Sequence, residues 1–282
     1  MSRKIIVANW KMNADHDFCD QYFVGFFDIY DKSKENMISD NEIIICPPLP
    51  FIDLANSALT DYAFSKIEIE MGKQEKSIED FSENELMEMM LENKPFSIGA
   101  QDCHFADSGA YTGDISAGMI FDAGAEFVII GHSERRIGHN ESDEIISKKV
   151  ELAVKNELVP ILCVGESIEY RKRSQHLEYV YSQLIRSLNS NININRLIIA
   201  YEPVWSIGTG IIPKQEEISE MMFLIKKIIG EKFPNIKNFQ ILYGGSVDSE
   251  NYKKIIEIEN VDGVLVGKVS LDLKNFSSIC FS

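Results

Sequence analysis

Short runs that are apolar on successive positions recur along the chain at intervals of roughly 35 residues. They are KIIVANW (4–10), EIIIC (42–46), FSIGAQ (96–101), FVIIG (127–131), VPILCV (159–164), LIIAY (197–201), QILY (240–243) and GVLVG (263–267). Unbroken apolarity over so few residues, rather than alternation, marks strands covered on both faces, as in a parallel sheet. Between them lie segments with helical spacing, such as ESDEIISKKVELAVKNE (141–157) and KQEEISEMMFLIKKIIGE (214–231). The first carries Ile145, Ile146, Val150, Leu152 and Ala153 on one helical stripe. Eight strands alternating with helices predict an α/β fold, a closed (β/α)8 barrel, and one domain spans residues 1–282 with no linker-like stretch. A doubly wound open sheet is the rival, but the first strand–helix turn lacks the GxGxxG phosphate fingerprint.

In such a barrel the chemistry gathers where strands end. Polar residues collect at those ends: Asn9 and Lys11, then Gln101, His132 to Glu134, Glu166, Glu202, Gly244 to Ser246, and Gly267. Any one of them has an ordinary reading, since a glutamate after a strand is commonly solvated and a histidine in GHSE commonly caps a helix. Their concentration at one rim favours a site. A carboxylate base such as Glu202 removes a proton from carbon only where an electrophile acidifies that carbon, and His132 and Lys11 are placed to polarise a carbonyl. The glycine-bearing ends of the last two strands suit an anion such as phosphate. The pattern therefore predicts proton abstraction beside a carbonyl on a small phosphorylated substrate, with no metal cluster or cofactor motif.

Charge and cysteine content narrow the partners. A net charge of −16 argues against nucleic acid and anionic membrane surfaces. No apolar run has the length of a membrane span, and MSRKIIVANW lacks a signal-peptide core. Five cysteines stand singly, without CxxC, which predicts a cytoplasmic protein with neither disulfide framework nor zinc site.

ANWKMN (8–13), GAQD (99–102), GAYTGDIS (109–116), IIGHSERR (129–136), LCVGE (162–166), AYEPVWSIGTG (200–210) and YGGSV (243–247) together resemble the triosephosphate isomerase family. The resemblance runs from residue 4 to about 272. It implies a TIM barrel and the interconversion of dihydroxyacetone phosphate and D-glyceraldehyde 3-phosphate through an enediolate, as part of glycolysis. It makes Glu202 the base, His132 the electrophile and Lys11 the positive charge. It places Asn9, Lys11, Gly208, Ser246 and Gly267 around the substrate, Glu134 beside Lys11, and Leu265 over the base. Residues 203–210 match a lid that closes on the site, and GAYTGDIS matches a loop that reaches a second subunit of a homodimer with Thr112 at its tip.

Two departures stand out. Residues 60–95 are longer than the family needs between helix 2 and strand 3, and their ten acidic residues and four lysines carry −6 of the net charge. Within them FSENELMEMMLENK predicts an extra helix, with Ser82 and Glu85 as capping box and Leu86, Met87, Met90 and Leu91 as one apolar stripe, which suits packing on the barrel or, being Met-rich, a partner or assembly surface. Strand 8 ends VLVGKVSL, so Lys268 follows Gly267 where the family usually has a second glycine, and Lys268 joins the expected substrate contacts. Another phosphate-binding barrel enzyme would explain the glycine turns but not GHSERR together with YEPVW. A non-catalytic binding protein on the same fold would be favoured by loss of Lys11, His132 or Glu202, and all three are present.

Overall fold

A computed structural model describes residues 3–35, 41–207, 209 and 211–281. Eight parallel strands close into a barrel in chain order: β1 (Ile5–Asn9), β2 (Glu42–Cys46), β3 (Ser97–Ala100), β4 (Phe127–Ile130), β5 (Val159–Val164), β6 (Leu197–Tyr201), β7 (Phe239–Tyr243) and β8 (Gly263–Val266). Closure is direct, with Ile5 of β1 opposite Gly263 of β8. The helices are α1 (His16–Glu35), α2 (Ile52–Lys73), α3 (Glu83–Glu92), α4 (Ala117–Asp122), α5 (Ser133–Gly138) and α6 (Asp143–Lys155). They continue with α7 (Ile168–Lys172), α8 (His176–Ser187), α9 (Gln215–Lys232), α10 (Tyr252–Ile256) and α11 (Leu273–Cys280).

Each strand is apolar on both sides because each side faces a different core. Ile5, Val7, Ile44, Ile129, Ile161, Ile198, Leu242 and Leu265 fill the barrel interior. Their neighbours Ile6, Ala8, Ile45, Val128, Ile130, Leu162 and Ile199 pack outward against the helices. Cys163 belongs to the interior set, and burial lifts its thiol well above the ordinary range, so it serves packing. The helices start where the sequence supplies caps: Ser116 accepts from the Met119 N–H, Ser142 from Ile145 and Asp272 from Asn275.

The extra helix between α2 and β3 forms as the sequence predicts. Ser82 and Glu85 make the reciprocal capping box. Its packing differs from the expectation. Leu86 and Met90 are half-buried, but Met87 and Leu91 are exposed and no residue of α3 is fully buried. The stripe is split because α3 packs on α2, whose inner face ends at Met71. The segment joins a helix to the start of a strand, so it lies at the rim away from the strand ends that carry the site.

On α6 a lysine occupies the inner face. Lys149 is 3% exposed, between Ile146 and Val150. Its ammonium lies 2.7 Å and 2.8 Å from the two Asp102 oxygens and 2.7 Å from Glu141 Oε1. Arg135 also pairs with both carboxylates, at 2.8 Å from Asp102 Oδ2 and 2.7 Å from Glu141 Oε1, so removing Lys149 would leave them half compensated. Lys149→Met is expected to lower the free energy of unfolding by about 1–3 kcal/mol, measured by denaturant titration at neutral pH. A change within measurement error would show that this cluster does not hold β3 and α6 together.

Candidate active site

The polar residues that follow the strands converge on one cavity of about 210 Å³. Its lining includes Asn9, Lys11, His132, Glu202, Ile207, Gly245, Ser246, Leu265, Gly267 and Lys268. Glu202 directly follows β6 and is 2% exposed. Its backbone N–H donates to the Val164 carbonyl at 2.7 Å, so β5 fixes where the side chain begins. A side chain at Gly165 would overlap the Glu202 carbonyl, so only glycine lets β5 and β6 approach this closely at their ends. Leu265 lines the same cavity as the carboxyl arm.

Both oxygens of Glu202 are engaged. Oε1 lies 2.9 Å from His132 Nε2, and Oε2 accepts the backbone N–H of Ser133 at 3.0 Å. Burial works against the carboxylate, but His132, the Ser133 N–H and Lys11 together outweigh it, and the carboxyl pKa lies below its ordinary value. Glu202 is therefore ionised at neutral pH, with both oxygens occupied.

His132 both caps α5 and faces the base. Its Nδ1 accepts the Glu134 N–H at 3.2 Å, which leaves the ring proton on Nε2, pointing at Glu202. Burial opposes the imidazolium and the Glu202 carboxylate favours it, so in the substrate-free site the pKa of the ring lies above its ordinary value. The Glu134 N–H acts in the opposite sense, since a proton on Nδ1 would meet it head on.

Lys11 is held in the left-handed region, with φ of 55°. Three contacts impose that backbone. The Lys11 N–H donates to Asn9 Oδ1 at 3.0 Å, Gln101 Nε2 donates to the Lys11 carbonyl at 2.9 Å, and Nζ pairs with Glu134 Oε1 at 2.5 Å. Asn9 thus positions Lys11 as well as lining the cavity. Gly267 lies beside the Lys11 stem: a Cβ there would come 3.4 Å from Lys11 Cε, an ordinary contact.

The lid segment begins at a buried anchor. Glu166 Oε1 accepts from Trp205 Nε1 at 3.0 Å, Tyr201 Oη at 3.1 Å and Arg171 Nε at 3.0 Å. Farther along, Ser206 Oγ donates to the Ile211 carbonyl at 2.6 Å. Ser246 Oγ donates to the Ser206 carbonyl at 2.8 Å, so this hydroxyl holds the lid as well as lining the cavity. Gly208, expected to contact the substrate, lies outside the described residues. Lys268 lines the cavity and its φ is not positive, so lysine sits there without the strain that a glycine-only backbone would impose. The remaining expected contacts, Asn9, Lys11, Ser246 and Gly267, all share the cavity with Glu202 and His132. Sequence reasoning missed the Ser133 N–H, which leaves no side-chain signature, and the anchoring role of Glu166.

The mutual influence of the pair is measurable. In Glu202→Gln the carboxylate that raises the His132 pKa is gone, while burial and Lys11 still lower it. The ring is then expected to titrate below its wild-type value, with Glu134 as the remaining carboxylate that raises it. Nitrogen-15 NMR of the imidazole across pH reads this directly, and an unchanged or higher value would refute the coupling.

Comparison with known proteins follows the same lines. The family model for triosephosphate isomerase matches residues 78–282. A triosephosphate isomerase of Gloeobacter violaceus is 34% identical over 279 residues, covering 99% of this chain and 98% of that protein. One of Xanthobacter flavus is 37% identical over 278 residues, covering 98% of this chain and 96% of that protein. The crystal structure of triosephosphate isomerase from Bartonella henselae superposes with a TM-score of 0.75 at 32% identity, over 99% of this chain and 98% of that one. With the (β/α)8 barrel and the cavity residues already in place, these matches over nearly the whole length show that the chain belongs to the triosephosphate isomerase family.

Proposed function

We propose that Glu202, His132 and Lys11 carry out in this chain the reaction of its family, the interconversion of dihydroxyacetone phosphate and D-glyceraldehyde 3-phosphate. The observation that carries the assignment is Glu202, 2% exposed and 2.9 Å from His132, in a cavity lined also by Lys11 and the turns after β7 and β8. Glu202 takes a proton from C1 of dihydroxyacetone phosphate. The electron pair of that C–H bond forms the C1–C2 double bond, and the C2 carbonyl becomes an oxyanion. The His132 Nε2–H and the Lys11 ammonium stabilise this oxygen. His132 relays a proton between the two enediolate oxygens, and Glu202 returns its proton to C2 to give the aldehyde. A neutral histidine beside a glutamate base is the established pairing of this family. Asn9, Ser246, Gly267, Lys268 and Gly208 are assigned to the substrate and its phosphate.

The lid excludes water during the step. With water displaced, the field of Lys11 acts on the oxyanion undiminished, and the enediolate is protected from losing phosphate.

We extend this reading to the assembly. The loop after β3 exposes Thr112 and Tyr111. A second cavity of about 480 Å³, lined by Lys11, Met12, Gln101 and Arg135, adjoins the site and suits that loop from another copy. A homodimer follows, with Thr112 approaching the partner's Lys11 region. One barrel domain with an insertion near residues 60–95 accounts for the chain. All five cysteines are free and buried, and among the described residues no helix is long and apolar enough to cross a membrane. Both features support residence in the cytoplasm.

A coupled assay on glyceraldehyde 3-phosphate tests the activity. Isomerisation is expected to be insensitive to EDTA, because among the described residues no three His, Cys, Asp or Glu side chains are grouped to hold a metal ion. Glu202→Asp draws the carboxylate back by one methylene and is expected to lower kcat about a hundredfold while KM changes far less. Near-normal kcat would remove Glu202 as the base. Sedimentation should show twice the chain mass, and deletion of residues 110–113 should give monomers of low activity. A fully active monomer would refute the interface.

A further inference from the structure

The cavity faces an electrostatic difficulty. Its ligand is an anion, and the chain carries a net charge of −16. Two carboxylates, Glu202 and Asp248, lie among the lining residues. Glu202 is ionised, as argued above, and Asp248 Oδ1 accepts the N–H groups of Glu250 and Asn251, each at 2.9 Å. Of the two lysines in the lining, Lys11 is already matched by Glu134 at 2.5 Å. Lys268 is different. It is exposed, it lines the cavity beside Gly267, and among the described residues its ammonium enters no ion pair or hydrogen bond. The backbone places it there at no conformational cost, since Gly267, with φ −87° and ψ −118°, takes the turn and Lys268 opens the short helical segment Lys268–Leu271.

We infer that Lys268 is a specificity-determining residue that tunes the cavity for doubly charged phosphate, and that it makes the enzyme correspondingly sensitive to inhibition by free inorganic phosphate. The inference rests on the proposed isomerase reading, because it takes the phosphate end of the substrate to lie among Ser246, Gly267 and Lys268. Lys11 acts on the oxygens of the reacting carbons and is held by Glu134. Lys268 is free to follow the phosphate. Its contribution falls on binding, because the phosphate charge is the same in the ground state and the transition state. It is also open to solvent, so added salt screens it.

The test compares wild type with Lys268→Gln, Lys268→Gly and Lys268→Arg. For each, kcat and KM are measured on glyceraldehyde 3-phosphate, the inhibition constant is measured for inorganic phosphate, and kcat/KM is measured on unphosphorylated D-glyceraldehyde. At low ionic strength Lys268→Gln and Lys268→Gly are expected to raise both KM and the phosphate inhibition constant about fivefold, with a smaller effect on kcat. The difference should fade as salt is added, Lys268→Arg should retain most of the wild-type affinity, and the glyceraldehyde reaction should not share the loss. Equal KM and inhibition constants in wild type and Lys268→Gln at low salt would overturn the inference. So would a loss that persists undiminished in high salt, or one shared by D-glyceraldehyde, since either would mean altered shape rather than missing charge. If the wild type showed no isomerase activity, the functional reading would fail first. Calorimetric titration with inorganic phosphate would still read the contribution of Lys268.

Discussion

An ionised carboxylate that water hardly reaches is the constraint on which this site depends. Glu202 is 2% exposed, and burial of its charge is costly without compensation. The compensation comes from three directions: the His132 Nε2–H, the Ser133 N–H and, at longer range, Lys11. All three must be held in place by something other than the carboxylate itself. His132 and Ser133 begin α5, so one helix start supplies both hydrogen bonds. Lys11 is held in a left-handed backbone by Asn9, Gln101 and Glu134, which come from the ends of β1 and β3 and from α5. The barrel brings these ends together without any direct sequence proximity, which is why the rim and not a single motif carries the chemistry.

The same arrangement limits how tightly the base is held. Hydrogen bonds to both oxygens stabilise the anion and lower its basicity, so a Glu202 that acts as the proposed base has to exchange one of them on binding. Exchange of the Ser133 or His132 contact for the substrate removes part of that stabilisation as the lid excludes water. Basicity thus rises where it is needed. The segment after β6 is held at its first residues by Trp205 on Glu166 and farther along by the hydrogen bonds of Ser206 and Ser246.

The architecture and the reacting residues were legible in the sequence for definite reasons. Strands covered on both faces must be apolar on consecutive residues, and β2, β5 and β6 have the predicted bounds, while the ends of β1, β3, β4, β7 and β8 differ from them by one residue. Glu202, His132 and Lys11 stood out because they are polar residues directly after such strands. What escaped notice depends on partners distant along the chain. Lys149 reads as a surface residue on a helix until Asp102, 47 positions away, supplies its counter-charge. Glu166 reads as a rim carboxylate until Tyr201 and Trp205 converge on it from β6 and the lid. The Ser133 N–H could not be seen, because every residue but proline has one. The apolar side chains of α3 were read as a packing stripe, although periodicity cannot tell how wide a neighbouring surface will be.

The two ends of the barrel answer to different demands. At the strand ends that carry the site, Glu202, His132, Lys11 and Ser246 are each tied to another group, while among the described residues Lys268 is not. At the opposite rim the connection from α2 to β3 grows by a capped helix rich in carboxylates, with Met87 and Leu91 left in solvent. That growth leaves the register of β2 with β3 intact, at Ile44 with Ser97 and Ile45 with Ile98. The added negative charge is also screened before it reaches the cavity, because the barrel length exceeds a screening length of roughly 8 Å at physiological salt. The acidity of the chain therefore bears on phosphate binding mainly through the carboxylates in the cavity wall. The balance of Glu202, Asp248, Lys11 and Lys268 sets the local field, and net charge alone does not decide what the site attracts.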